Sequence, residues 1–218
     1  MRNRSASLAL ILALSISSVA AAAAQSVPGV DSISRTDLGL SVYGSFPQQT
    51  TGNGVVQSPA NSAGGLFEVR HISNPILGFE GTYSFNHADQ TIHELIAVTC
   101  PAPPNPCPAP IQTIKSNAHE VTADWVPSVH FVNARIFGVL GLGALFNVPG
   151  SNQSDTKTST KMVYVYGGGL DWGLLPHFGI RGQYRGNLFS APDVSTLYTS
   201  SKAFTHTAEP MIGIYLRL

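Results

Sequence analysis

The sequence predicts an all-β fold, a closed antiparallel barrel of eight strands that crosses a membrane. Apolar and polar residues alternate with a period of two along most of the chain, as in strands with two different environments. After the N-terminal segment, no apolar run is long enough for a membrane helix. Only 11% of the residues are charged, 12 basic against 12 acidic. Such sparse charge is unusual for a soluble protein, and the lack of a basic excess argues against nucleic acid as a partner.

The first 24 residues have the three parts of a secretory signal peptide. Arg2 and Arg4 form a basic start, 8–19 an apolar core, and 20–24 a run of small residues. The apolar core is too short to span roughly 30 Å of hydrocarbon as an anchor. We therefore expect an exported protein whose mature domain is 25–218.

Each strand is assigned from its alternation. In 77–85, Leu77, Phe79, Tyr83 and Phe85 fall on one side, and Glu80 falls on the other. The same rule places strands at 36–46, 64–72, 76–86, 117–126, 134–146, 161–172, 178–188 and 206–218. The fifth of these, 134–146, is apolar on both sides, so its facing stays open.

The connections between these strands alternate in length. Short connections fall at 73–75, 127–133 and 173–177, and long ones at 47–63, 87–116, 147–160 and 189–205. A bacterial outer-membrane barrel has short periplasmic turns and long extracellular loops, so this alternation predicts that arrangement.

Cys100 and Cys107 lie in the Pro-rich segment CPAPPNPC of the second long loop. In an exported protein this spacing predicts a local disulfide, which contributes at most about 2–3 kcal/mol. A zinc site would need further Cys or His ligands nearby, and none is present. We expect no metal and no cofactor.

The types of charged residue indicate which face of the strands points into the barrel. Charges within the strands are arginines and carboxylates, whereas the lysines fall in loops or at strand ends. Arginine paired with carboxylates suits a confined interior, and an eight-stranded barrel is just wide enough for side chains to fill. We predict a lumen charge network of Glu68, Arg70, Glu80, Glu120, Asp124, Asp171, Arg181, Arg185, Glu209 and Arg217. The predicted lipid-facing band is Phe67, Val69, Phe79, Tyr83, Val121, Trp125, Ile180, Tyr184, Ile212 and Ile214.

Several motifs follow one another in a recognisable order. They are GLFEVR at 65–70, NP at 74–75, LGFEGTYS at 77–84, VYGGGLD at 165–171, GIRGQYRG at 179–186 and the alternating terminal strand. With them, the chain resembles the OmpA-like or opacity-protein type of outer-membrane barrel across the whole mature region. The resemblance implies an outer-membrane location and contact with outer-membrane lipid and lipopolysaccharide. It also implies insertion by the barrel-assembly machinery, although this chain ends in Leu218 where the family usually has an aromatic residue.

The expected function is non-enzymatic: envelope integrity, or recognition of an unidentified extracellular ligand through the long loops. Three alternatives stay open: a small low-conductance channel, a soluble lipocalin-like ligand-binding barrel with the inverse facing, and a lipid A-modifying hydrolase. The hydrolase would use His71 and Ser73, but Ser73 falls in a predicted periplasmic turn with no acid placed to orient the histidine. No catalytic residue is assigned.

Overall fold

The computed structural model describes residues 34–95 and 111–218, which form thirteen strands. Within those residues, no helix is long and apolar enough to cross a membrane. The predicted signal peptide and the Cys100–Cys107 disulfide lie outside the described residues. In chain order the strands are β1 (Arg35–Pro47), β2 (Thr50–Gly52), β3 (Val55–Pro59), β4 (Ser62–Ile72), β5 (Gly78–His87), β6 (Gln90–Glu94), β7 (Ile111–Ile114), β8 (Ser116–Trp125), β9 (Ser128–Phe131), β10 (Ala134–Pro149), β11 (Ser159–Leu175), β12 (Phe178–Ser190) and β13 (Phe204–Arg217).

Eight long strands close into one antiparallel barrel, in the order β1, β4, β5, β8, β10, β11, β12 and β13. The closure is the pairing of the last strand with the first, in which Asp37 lies opposite Arg217 and Leu38 opposite Leu216. The predicted fold class is therefore confirmed. Each predicted strand end lies within three residues of the observed one. Arg35 and Arg217, at the two ends of the barrel sequence, both lie at the end with the short turns, because the strand number is even.

The polar side chains face the lumen, and the apolar side chains face outward. In β5, Glu80 is 3% exposed, whereas its neighbour Phe79 is 45% exposed. Ile212 and Ile214 in β13 are likewise exposed, while Tyr215 is buried. This facing contradicts the soluble lipocalin-like alternative, which would place the apolar side chains inside and the charges in water.

The facing of β10, left open by the sequence, is settled by its pairing. Arg135 lies opposite Asp171 of β11 and is buried inside the barrel. Because side chains alternate along a strand, Phe137 and Val139 also face inward. Ile136, Leu140 and Leu142 face outward. The inward residues of β10 pack with Val163, Val165 and Phe189 in an apolar cluster within the lumen.

The long loops contain strands that were not predicted from the sequence. β2, β3, β6 and β7 form a second, four-stranded antiparallel sheet beyond the barrel rim. Asn53 and Gly54, which connect β2 to β3, both have positive φ, at 50° and 74°. That is the conformation of a two-residue hairpin turn of type I′, for which Asn-Gly is the preferred sequence. The short predicted link at 127–133 also contains β9, which pairs with the start of β10.

Candidate functional site: the charged lumen and the loop cap

The first group of lumen charges surrounds Arg181 and lies toward the short turns. Arg181 donates from Nε and Nη2 to the two oxygens of Asp171, at 2.6 and 2.9 Å, and also pairs with Glu68. Arg70 Nη2 lies 2.6 Å from Glu80 Oε2. The Arg181 cluster is defined here as Arg35, Asp37, Glu68, Arg70, Glu80, Asp171 and Arg181, all of which are buried. Further ion pairs, of which the shortest are charge-assisted hydrogen bonds, link its members into one network.

Two aromatic rings fill the space between these arginines. The guanidinium of Arg70 lies 4.0 Å from the ring centre of Phe137, and that of Arg181 lies 5.3 Å from it. Arg181 also lies 5.3 Å from the ring centre of Tyr215. All three contacts are within the range of cation–π attraction. Rings and ion pairs together fill the lumen at this level.

The second group surrounds Arg185. Its guanidinium lies 3.2 Å from Asp124, 3.6 Å from Glu80 and 3.8 Å from Glu120. The Arg185 cluster is defined here as Glu120, Asp124, Arg185, Asn187 and Glu209. Asn187 Nδ2 donates to both oxygens of Glu120, at 3.3 and 3.1 Å. Glu209 lies opposite Arg185 in the β12–β13 ladder and is 5% exposed. Glu80 joins the two clusters, because it contacts both Arg70 and Arg185.

Nine of the ten residues predicted for the lumen network are buried inside the barrel, and the tenth, Arg217, is half-buried at the short-turn mouth. Three further charged residues that were not predicted for the network are also buried there: Arg35, Asp37 and Arg135. Arg35 and Asp37 sit at a strand end, where facing is hard to assign from the pattern. Arg135 and Phe137 are two residues apart and so lie on the same face of their strand. The charge of Arg135 could therefore have shown which face of the fifth predicted strand points into the lumen.

Two glycines make room for buried carboxylates. A Cβ on Gly39 would overlap the Glu68 carboxylate, and one on Gly141 would overlap that of Asp124. Both contacts run between paired strands, since Gly39 lies opposite Glu68 and Gly141 opposite Asp124. A side chain at either glycine would displace an acid from its arginine, which is a reason for glycine inside a strand.

The long loops interlock into a structure that we call the loop cap, residues 48–61, 88–95, 111–115, 150–158 and 191–203. Its apolar core is Val55, Ile92, Ile114 and Val194, with Tyr198 packed against it. Gln57 Nε2 donates to Pro192 O at 2.8 Å and to Gln90 Oε1 at 3.2 Å. Lys157 joins the third long loop to the fourth through its ion pair with Asp193, at 2.7 Å.

Polar aromatic residues mark both edges of the outer apolar surface. Near the long loops, the Tyr83 hydroxyl lies 2.9 Å from His119 Nδ1, and the Tyr166 hydroxyl lies 2.8 Å from His206 Nε2. Near the short turns, Trp125 Nε1 donates to Ile76 O at 2.6 Å. Amphipathic rings at two levels around an apolar band are the girdles of a membrane barrel.

The chain matches the family model of the outer membrane protein beta-barrel domain over residues 9–203. The chain belongs to this family. Among solved structures, it is similar to Ail, the attachment invasion locus protein of Yersinia pestis, at 15% identity and a TM-score of 0.50 over 85% of this chain and 99% of Ail. It is also similar to Neisserial surface protein A (NspA), at 10% identity and a TM-score of 0.52 over 83% of this chain and 96% of NspA. At these identities the two structures show a shared fold. A comparison with curated protein sequences gives no significant match.

Membership of the family confirms the predicted resemblance and location. The protein is a bacterial outer-membrane barrel, with short turns in the periplasm and long loops at the cell exterior. The Arg181 cluster therefore lies on the periplasmic side of the lumen. The Arg185 cluster lies between it and the extracellular loop cap.

Proposed function

We propose that this barrel is a non-enzymatic protein of surface recognition, which presents its loop cap to a ligand outside the cell. The observation that carries the proposal is that the loops form a second sheet with an apolar core of its own. Loops that served only to connect strands would not need such a core.

Contacts between different loops support a surface of fixed shape. Thr50 Oγ1 in the first loop lies 2.8 Å from Ser201 Oγ in the fourth. Ser195 Oγ in the fourth donates to Gln112 Oε1 in the second, at 2.6 Å. A surface ordered before it binds avoids much of the entropy loss of ordering loops on binding. The cap is thus suited to a partner that it meets without refolding.

Two features argue against the alternatives that the sequence left open. Arg70, Phe137 and Arg181 fill the lumen, so ions would pass only after the network rearranged. At the candidate hydrolase site, His71 Nδ1 lies 3.0 Å from Thr36 Oγ1, and Ser73 lies in a periplasmic turn. These contacts favour a structural role for both residues and support a barrel without catalytic residues.

The test compares cells that lack the protein with cells that carry either the wild type or a hairpin variant. The variant replaces residues 50–57 with a short Gly-Ser link, which removes β2, its turn and the first three residues of β3 while leaving the barrel strands. Adhesion is measured on panels of immobilised glycans and matrix proteins, and envelope integrity by detergent sensitivity. A heat-dependent shift in gel mobility verifies that the variant barrel is folded.

We expect the variant to lose adhesion and keep normal detergent resistance. Normal adhesion with lowered resistance would replace recognition by a role in envelope integrity. Unchanged values in both assays would overturn the proposal. Single-channel recordings and lipid A mass spectra of the same strains test the channel and hydrolase alternatives.

A further inference from the structure

A small cavity lies between the loop cap and the Arg185 cluster. The volume open to water-sized molecules is about 50 Å³. A single water needs roughly 10–15 Å³ by this measure, so the cavity has room for an ion with a few waters. Its walls include Gln57 from the cap and Glu120, Asn147, Asn187 and Glu209 from the barrel.

The charges around this cavity do not balance. Glu120 and Glu209 line it, and Asp124 lies next to them on Arg185. Within the part of the chain that the structure describes, these three carboxylates share one arginine, Arg185. A buried charge that lacks a partner is strongly unfavourable, so this excess of negative charge requires a cation or protons.

Three buried oxygens that belong to residues lining the cavity accept no hydrogen bond from any described residue: Gln57 Oε1, Asn187 Oδ1 and Glu209 Oε2. The amide nitrogen of Asn147, another lining residue, is likewise buried without an acceptor. Each residue is at most 5% exposed. The two amide orientations are determined by their donors, because Gln57 Nε2 bonds to Pro192 O and Asn187 Nδ2 bonds to Glu120. Their oxygens must therefore point away from those partners. Buried acceptors of this kind are uncommon in folded proteins and call for a physical explanation.

We propose that the cavity binds one hard divalent cation of the Ca²⁺ type. Its ligands are the carboxylates of Glu120 and Glu209, the amide oxygens of Gln57 and Asn187, and water. The cation accounts for both the excess of carboxylates and the buried acceptors. Ca²⁺ takes six to eight oxygen ligands in flexible geometry, whereas Mg²⁺ requires a tighter octahedron. The site has no His or Cys ligand to favour a transition metal. Because the described residues contain no cluster of three or more His, Cys, Asp or Glu suited to a metal, the proposed site relies on two amide oxygens beside its two carboxylates.

The position of the site gives the cation a structural consequence. Gln57 belongs to β3 of the loop cap, whereas Glu120, Asn187 and Glu209 belong to β8, β12 and β13 of the barrel wall. A bound cation therefore ties the cap to three barrel strands. Binding favours the folded, docked state, so stability rises with cation concentration.

The experiment uses the full protein purified from outer membranes in detergent and stripped with EDTA. Calorimetric titration with CaCl₂ measures binding, and thermal unfolding measures Tm at increasing CaCl₂, with MgCl₂ and NaCl of equal ionic strength as separate arms. The variants are Glu209→Gln, Glu120→Gln and Gln57→Leu. Glu94→Gln, which changes a carboxylate of the cap outside the cavity, is the matched control.

We expect CaCl₂ to raise the Tm of the wild type and of Glu94→Gln. Glu209→Gln and Glu120→Gln should each weaken binding at least tenfold, and Gln57→Leu, which leaves every barrel residue unchanged, should weaken it severalfold. Limited proteolysis of the loops should slow in CaCl₂ only where binding persists.

Three results would overturn the inference: no Ca²⁺ binding by the wild type at millimolar concentration, an equal Tm rise in NaCl, or full binding by both the Glu120→Gln and the Glu209→Gln variant. A preference for Mg²⁺ that is lost in the same variants would overturn the choice of Ca²⁺. If a barrel variant does not fold, as judged by gel mobility, Gln57→Leu decides the outcome.

Discussion

The two halves of the lumen use the same residue types with different charge balance. In the Arg181 cluster, three arginines face four carboxylates, and Arg135 and Arg217 lie beside them toward the periplasm. In the Arg185 cluster, a single arginine serves three carboxylates. Phe137 and Tyr215 pack between the arginines of the first half, whose Arg35 also lines the open periplasmic mouth, whereas the second half borders a small cavity beneath the loop cap.

This difference shows that a buried charge network can have two separate tasks. Where arginines and carboxylates are nearly equal in number and rings fill the gaps, the network closes and stabilises the barrel, since removal of one partner leaves another charge buried without compensation. Where carboxylates are in excess beside open volume, the network is prepared for a further positive charge. The change in the free energy of unfolding caused by a substitution should therefore differ between the two halves, both in size and in sign.

The largest effect is expected from Arg181→Leu. It removes the partner of Glu68 and Asp171, both at most 1% exposed, and should lower the free energy of unfolding by about 3–5 kcal/mol. Urea unfolding of the barrel refolded in lipid vesicles measures it. An unchanged midpoint would show that the ion pairs of the Arg181 cluster contribute nothing to stability.

The next largest effect is expected from Phe137→Ala, at about 3 kcal/mol, because it opens a cavity beneath two guanidinium groups. Phe137→Leu is the control, since it keeps most of the apolar volume and removes the ring. The same urea titration applies. If Phe137→Leu lowers the stability as much as Phe137→Ala, the aromatic face matters more than the apolar volume. If Phe137→Leu leaves the stability unchanged, the cation–π contacts contribute nothing measurable.

A matched pair of substitutions, one in each half, tests whether loss of a carboxylate lowers or raises the stability of the barrel. In EDTA, Glu68→Gln should destabilise the barrel by about 1–3 kcal/mol, because it weakens the pairing with Arg181. Under the same conditions, Glu209→Gln should stabilise it by about 1 kcal/mol, because it relieves an uncompensated buried charge. Destabilisation of similar size by both would mean that the two halves of the lumen are balanced alike.

The smallest effect is expected from Lys157→Ala in the loop cap. Its ion pair with Asp193 is 2.7 Å long, but the two side chains are 47% and 37% exposed. Exposed pairs contribute at most about 1 kcal/mol, so the urea midpoint should move little. A shift as large as that of Arg181→Leu would indicate that the cap, rather than the lumen, dominates the stability of the barrel.

Much of the barrel could be predicted because alternation acts locally. Phe79 and Glu80 are neighbours in sequence and face lipid and lumen, so their order reveals the strand wherever the two environments differ. The same logic failed for β10, where Ile136 and Phe137 are both apolar. A filled lumen admits apolar rings as well as charges, and hydropathy alone cannot distinguish such a ring from one in lipid.

The loop cap was missed for a different reason. The Asn53-Gly54 signal for a β-hairpin is present in the sequence, next to Val55 and Val56. Pairing of β3 with β6, however, joins residues of two different loops, and no local pattern specifies it. The loop strands are also short, five residues or fewer, which leaves little periodicity to detect.

The sequence by itself determined that this chain forms a membrane barrel of eight strands, which side of each alternating strand faces lipid, and that arginines and carboxylates occupy the lumen. These properties follow from the period-two geometry of a strand and from the free energy of burying charge in lipid. Only the tertiary structure decided which arginine meets which carboxylate, because those contacts depend on the register around the closed barrel. It also decided that Gln57 of a loop meets Glu120, Asn187 and Glu209 at one cavity. That meeting depends on the packing of the cap on the rim, which brings together residues far apart in sequence.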